Sequence, residues 1–315
     1  MPTVLVSAPY MIPFMNRFKP VLEEYGLEVI IADVVERLDE QEILKYAGQF
    51  EGSLCGDDQY SARALEACSP RLKVLSKWGT GIDSFDQEAA AKYGVQIFRT
   101  PNAFTLPVAD TVIAYMLTFA RQIPWMDRAI KNLEWEKFPS RSLSECTLGI
   151  IGAGNIGRAV IRRARAFGME ILANDIIEIA PDFILEYGVE MTGLEELLAR
   201  SDFVSINCDL NPTSYRLINE QTLSQMRPNA VIINTARGKI VDETALINAL
   251  QSGSIAGAAL DVFEVEPLPA DSPLLEMDNV LLAPHNANSS PSAWERVHWY
   301  TIQNLLEGLN IPHSI

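Results

Sequence analysis

Leu148-Gly-Ile-Ile-Gly-Ala-Gly-Asn-Ile-Gly-Arg-Ala-Val160 opens a stretch that closes with Met169-Glu-Ile-Leu-Ala-Asn-Asp175. The run Leu148 to Ile151 reads as a buried strand. Glycines at 152, 154 and 157 form a turn, a helix follows to about Phe167-Gly168, and a second apolar run makes another strand. The glycines differ in what they permit. Gly152 allows the tight turn, Gly154 lets the backbone approach a pyrophosphate, and Gly157 lets helix pack closely on strand. The helix start, at Asn155 and Ile156, offers free N–H groups and the positive dipole end to phosphates. Asp175 stands roughly 20 residues beyond the last glycine, where a carboxylate accepts from the ribose hydroxyls of an adenosine. It would repel a 2′-phosphate, and its neighbours Asn174 and Ile176-Ile177 add no positive charge. The stretch therefore points to NAD rather than NADP.

The same alternation extends both ways. Upstream, Val4–Ser7, Glu28–Ala32, Gly52–Cys55, Lys73–Lys77 and Val95–Arg99 read as short buried strands, separated by helical patterns. Downstream, Phe203–Asn207, Val231–Thr235, Ala256–Asp261 and Val280–Ala283 repeat the pattern, and a final helix covers about Pro291 to Glu307. Strands alternating with helices give parallel sheets covered on both faces, an α/β fold. Val108 to Ala120 is apolar nearly all round and must be buried, in the core or against another chain.

Composition narrows the partners. The chain has 315 residues, 48% hydrophobic and 21% charged, which fits about two ordinary globular domains. A net charge of −16 argues against nucleic acid and against an anionic membrane, both of which need basic patches. It leaves room for a small anionic substrate, because one or two local cations outweigh a distant field. Cysteines 55, 68, 146 and 208 are scattered without a CxxC pair, so a reducing, cytoplasmic setting and no metal site are expected. The chain begins directly with a strand-like run, and no signal peptide is expected.

Three histidines are available for acid–base work. His313 lies near the end of the sequence and reads as solvated. His298 falls inside the last helix, where a surface or packed structural role is the simpler reading. His285, in Ala-Pro-His-Asn-Ala-Asn, directly follows a strand, and in open α/β sheets ligands bind beyond the strands' carboxyl ends. Arg237 and Glu266 each follow a different strand of the same series. Taken singly, Arg237 reads as a loop cation and Glu266 as a solvated acid; all three at strand ends suggest one site.

These motifs together resemble the NAD-dependent D-isomer-specific 2-hydroxyacid dehydrogenases, which include phosphoglycerate dehydrogenases. The resemblance rests on Gly152-x-Gly154-x-x-Gly157 with Asp175, Asn234-Thr-Ala-Arg237-Gly, Leu260-Asp261-Val-Phe-x-x-Glu266-Pro and Asn279-Val-Leu-Leu-Ala-Pro-His285. It implies a Rossmann-type doubly wound NAD domain, about 102–285, inserted into a flavodoxin-like substrate domain, 1–101 and 286–315. It implies that His285 is the general acid in reducing a 2-keto acid, that Glu266 hydrogen-bonds it, and that Arg237 grips the substrate carboxylate and polarises the carbonyl. A carboxylate beside an imidazole favours its protonated form, and a planar guanidinium suits a carboxylate. Thr235 and Ala236 then belong to the cofactor pocket, and Asp261 accepts from the nicotinamide carboxamide. The loop Trp78-Gly79-Thr80-Gly81 offers backbone N–H groups to the substrate carboxylate. A homodimer is implied as well.

Some positions depart from the family pattern. A glycine-rich segment often follows the histidine; here Asn286-Ala-Asn288-Ser-Ser either binds substrate or caps the last helix. Where phosphoglycerate enzymes tend to carry basic residues, this chain has Cys55-Gly-Asp-Asp-Gln-Tyr60. Asp57 and Asp58 are expected to form an acidic rim that repels phosphate, and with Trp78 to favour an uncharged tail. An alternative function on the same scaffold is an NAD(H)-sensing, corepressor-like binding protein.

Overall fold

The computed structural model describes residues 1–315, which divide into two compact units. The first comprises Met1–Phe104 and Ser290–Ile315. Its strands are β1 (Thr3–Val6), β2 (Glu28–Ile31), β3 (Gly52–Cys55), β4 (Val74–Lys77) and β5 (Gln96–Phe98), all parallel, in the order β2-β1-β3-β4-β5. Every residue of β1, β3 and β4 is buried, as expected of inner parallel strands with both faces covered. Helices 40–44, 62–68 and 87–93 are started by Asp39, Ser61 and Asp86, whose side chains accept from first-turn N–H groups. Helix 291–308 closes one face of this sheet. Ser76 on β4 donates to Thr301 O at 2.7 Å. A side chain at Gly308 would meet Val74 at 2.7 Å, so the last turn needs a glycine to lie this close.

The second unit is Thr105–Ser289. Its strands are β6 (Thr147–Ile151), β7 (Glu170–Asn174), β8 (Val189–Met191), β9 (Phe203–Ile206), β10 (Val231–Asn234), β11 (Gly257–Leu260) and β12 (Val280–Leu282). All are parallel, in the order β12-β11-β10-β9-β6-β7-β8. The chain winds one way from β6 through β7 to β8, then returns to β9 on the other side of β6. Ligands bind at such a reversal, beyond the carboxyl ends of the strands. One apolar layer on this sheet includes Ile150, Val160, Ile171 and Ile233; the other includes Leu172, Val204, Ile232 and Leu246.

The apolar run at 108–120 lies in helix 105–121. Val108, Ala109, Val112, Ile113, Met116 and Ala120 are buried, and the helix packs on helix 155–166. Asp110 on its outer side pairs with Arg163 at 2.7 Å. Its hydrophobicity is therefore used largely within this unit. Two features have little sequence signal. Gln122, with φ +54°, breaks the segment so that a second helix runs 123–131. Strand β8 is only three residues at a sheet edge, too short for an alternation to register. No helix is long and apolar enough to cross a membrane.

Candidate active site

The chain leaves β6 through Gly152 and enters helix 155–166. Gly152 has φ +89°, and a side chain there would also meet Cys208 N at 2.7 Å, so only glycine fits. A Cβ at Gly157 would run into the carbonyl of Gly152. At Gly154, by contrast, nothing lies within 4 Å of where a Cβ would be. The three glycines thus divide as expected: two permit close packing within the protein, and the middle one bares backbone to open space. Asn155 is exposed and Ile156 half-buried in the first turn, where a helix has no acceptors of its own for its N–H groups. Asp175 accepts from Ala153 N–H at 2.6 Å and Ile177 N–H at 3.0 Å, and Arg158 Nε donates to Ala153 O at 3.0 Å. These bonds brace the turn and hold the Asp175 carboxylate beside it. Thr235 Oγ1, past the end of β10, is buried with no hydrogen-bond partner. An open glycine backbone, a carboxylate at the end of β7 and an orphaned hydroxyl fit a bound dinucleotide.

His285, Glu266 and Arg237 follow β12, β11 and β10. His285 Nδ1 lies 3.0 Å from Glu266 Oε2, and the other carboxylate oxygen of Glu266 accepts from Phe263 N–H at 3.0 Å. With Nδ1 turned to the carboxylate, Glu266 fixes the orientation of the ring. Both side chains are mostly buried, so the pair is partly shielded from water. His285 has φ +51°, an unfavourable conformation for a side-chain-bearing residue. Asp261 holds it there. Its backbone carbonyl accepts from His285 N–H at 2.8 Å, and its carboxylate accepts from Asn286 N–H at 2.8 Å and Ala287 N–H at 2.9 Å.

Asp261 is 1% exposed, and burial raises its carboxyl above the usual range while the two N–H donors oppose the rise. The role expected for it is orienting a nicotinamide; the structure shows one the sequence does not suggest, tethering the loop that carries His285. Asn234 adds a similar constraint. Its side-chain amide donates to Arg237 O at 2.9 Å and accepts from Ala236 N–H at 3.1 Å, closing the Asn-Thr-Ala-Arg turn around itself. An Asn at the end of a buried strand is its only sequence cue. The Arg237 turn and the Glu266 loop also touch, because a side chain at Gly238 would overlap the carbonyl of Phe263 and come within 2.5 Å of Glu264 N.

In the first unit, the loops after β3 and β4 differ from expectation in three ways. Gly79 N–H is engaged by Thr100 Oγ1 at 3.2 Å, while Gly79 O accepts from Thr100, so the N–H groups left for a carboxylate are those of Thr80 and Gly81. The Trp78 ring is only 3% exposed and packs on Tyr10, Phe104 and Trp294, so its side chain is turned into the protein and not toward a ligand. The expected acidic rim does not form. Asp58 is fully buried, accepting from Ser7 Oγ at 2.5 Å and Leu38 N–H at 2.7 Å, and burial pushes its carboxyl up to about 6. Asp57 pairs with the buried Lys77 at 3.0 Å. Alternation along a loop does not reveal which carboxylate turns inward, and this pair presents no rim to repel a phosphate. Of Asn286–Ser290, Ser290 makes no side-chain cap on the last helix, and Asn288 Oδ1 is buried without a partner.

A parallel sheet that reverses at a glycine turn, with an imidazole–carboxylate pair and an arginine at its strand ends, is the framework of a nicotinamide-dependent dehydrogenase. Comparison with known proteins carries the identification further. Residues 113–287, more than half of the chain, match the model of the D-isomer specific 2-hydroxyacid dehydrogenase NAD binding domain. The chain belongs to that family and is an NAD-dependent 2-hydroxyacid oxidoreductase. It is 42% identical over 255 residues to a glyoxylate reductase of Korarchaeum cryptofilum, covering 79% of this chain and 76% of that one. It is 36% identical over 280 residues to the D-3-phosphoglycerate dehydrogenase of Rattus norvegicus, covering 88% of this chain but 52% of that one, so it spans about half the length of that relative. Among solved structures, a D-lactate dehydrogenase from Aquifex aeolicus, complexed with NAD and lactic acid, superposes with a TM-score of 0.86 at 28% identity, covering 99% and 100% of the two chains.

Proposed function

We propose that this protein reduces a small 2-keto acid to the D-2-hydroxy acid, with His285 as the proton donor. The observation that carries the proposal is the 3.0 Å contact of His285 Nδ1 with Glu266, on a loop that Asp261 fixes with three hydrogen bonds. When NAD(H) is bound, its nicotinamide supplies or accepts the hydride. Glu266 stabilises imidazolium, and His285 Nε2 delivers its proton to the carbonyl oxygen as the hydroxyl forms; in the reverse direction it takes that proton back. Arg237 grips the substrate carboxylate and draws charge from the carbonyl oxygen. The N–H groups of Thr80 and Gly81 serve a carboxylate in the same way. Gly152–Gly157, Asp175, Thr235 and Ala236 hold the dinucleotide. The names of the relatives favour short 2-keto acids as substrates, and Asp57 and Asp58 no longer argue against a phosphorylated one.

The segment after helix 105–121 supports a homodimer: Leu133 and Trp135 are 94% and 89% exposed, and Ile123 and Ile130 are exposed beside them. Four unpaired cysteines support a cytoplasmic setting. The test is NADH oxidation with glyoxylate, pyruvate, hydroxypyruvate and 3-phosphohydroxypyruvate. His285→Ala should lower kcat by about 10²–10⁴-fold while NADH binding persists. No turnover with any of the four, or full activity in His285→Ala, would overturn the assignment.

A further inference from the structure

The Trp78 side chain is held by a residue 220 positions away. Its indole Nε1–H donates to Nδ1 of His298 at 2.9 Å, with both groups buried. Only a ring nitrogen without a proton can accept, so His298 is neutral and carries its proton on Nε2. Around the pair stand Tyr10, Phe104 and Trp294, with ring centroids 5.0–5.7 Å from Trp78, and Phe14 and Phe18 at 5.2–5.3 Å from His298. Trp78 is joined directly to Gly79. The end of β4 is therefore fixed at three successive residues: Lys77 by its ion pair with Asp57, Trp78 by His298, and Gly79 by Thr100. The unbonded N–H groups of Thr80 and Gly81 come next in the chain. Three anchors in a row are more than a plain turn requires, and they suit a backbone that must hold its amides at one angle.

We propose that His298 is a positioning residue for the reaction: through Trp78 it sets the backbone of Thr80 and Gly81 in the orientation that receives the substrate carboxylate. This rests on reading that loop as a carboxylate site. The charges near His298 do not compete for the ring. Arg17 grips Glu295 through two bonds, and Glu295 also accepts from Trp299 Nε1. Burial lowers the His298 imidazole to about 4, with the Glu295 charge opposing and that of Arg17 assisting. At neutral pH the acceptor is therefore always present.

The experiment compares His298→Leu, His298→Gln, Trp78→Phe and the double variant His298→Leu/Trp78→Phe. Each is assayed for reduction of glyoxylate and pyruvate, for NADH affinity, and for amide hydrogen exchange in the segment 76–84. Loss of the Trp78–His298 hydrogen bond, which leaves a buried donor unpaired in His298→Leu and a buried acceptor unpaired in Trp78→Phe, should raise KM about tenfold in each, with kcat within about threefold and NADH affinity unchanged. The double variant should be no worse than either single one. His298→Gln, which retains an acceptor, should restore KM. Exchange in 76–84 should quicken in the same variants while the rest of the first unit is unchanged. Additive losses, an unmoved KM, or exchange raised uniformly across the first unit would overturn the proposal. If the unaltered protein reduces no 2-keto acid, the reductase assignment falls by itself. The exchange arm then decides: unchanged exchange of 76–84 in His298→Leu refutes the positioning role.

Discussion

Replacing Gly238 with alanine should disable the chemistry while leaving the cofactor site in place. In the native structure a Cβ at this position would overlap the Phe263 carbonyl and lie 2.5 Å from Glu264 N, whereas ordinary contacts begin at 3.4 Å. Both obstacles are backbone, so no side chain can swing aside. The turn that carries Arg237 and the loop that carries Glu266 must separate by about 1 Å, a displacement that typically reduces catalysis about 10²-fold. That corresponds to about 2.7 kcal/mol of lost transition-state stabilisation. The loss should appear in kcat/KM for the best 2-keto acid, measured by NADH oxidation. NADH affinity, read by fluorescence, should fall much less than turnover, because the Gly152–Gly157 turn and Asp175 are not part of this contact and only Thr235 and Ala236 lie beside it. A folded Gly238→Ala protein with near-normal kcat/KM would refute the reasoning: it would mean that Arg237 and Glu266 need no fixed separation. Loss of NADH binding with the loss of turnover would refute it as well, because the damage would then not be confined to the loops that carry Arg237 and Glu266.

Other outcomes are expected from the same contacts. Gly154→Ala should leave the melting temperature unchanged, since its Cβ meets nothing, yet weaken NADH binding about tenfold or more if a pyrophosphate lies against that backbone; unaltered affinity in a calorimetric titration would remove the phosphate from this face. Gly157→Ala should instead destabilise the fold, visible as a lower urea midpoint, because its Cβ would collide with Gly152. Asp58→Asn should not reduce stability at pH 8 and should not improve turnover of 3-phosphohydroxypyruvate, because the carboxyl is buried and already penalised; a clear gain with the phosphorylated acid would restore the acidic-rim idea. Protonation of His298 has a defined sign. Its folded value, about 4, lies below the unfolded value near 6.5, so the unfolded chain binds its proton first, and stability falls as pH drops from about 6.5 toward 4. The loss at pH 5 is about 2 kcal/mol. Asp58 works in the opposite direction over a similar range, so the measurement is the difference between the native protein and His298→Gln in urea unfolding at pH 7 and pH 5. Equal slopes for the two proteins would show that His298 is not buried in neutral form.

Features whose chemistry is local can be read directly from the residues. Glycines at 152, 154 and 157 are legible because each relieves a backbone clash or opens a face, and residue type alone signals that. The strands are legible because a parallel strand buried on both faces carries a run of apolar residues, as Val4–Val6 of β1 and Val231–Ile233 of β10 do. His285, Glu266 and Arg237 are legible because each follows a strand, and the winding of the sheet sends strand ends to one side. Which polar groups turn inward is settled only when the chain is folded. Neighbouring Asp57 and Asp58 look alike as letters; one reaches Lys77 and the other is sealed under Leu38 and Ser7. Asp261 and Asn234 prove to be fasteners of the loops that carry His285 and Arg237, a role that depends on backbone N–H and C=O groups that every sequence contains. Trp78 reads as a ligand contact and His298 as a packing residue. Whether they meet depends on helix 291–308 returning to β4, and a hydrogen bond across 220 residues leaves no periodicity to read.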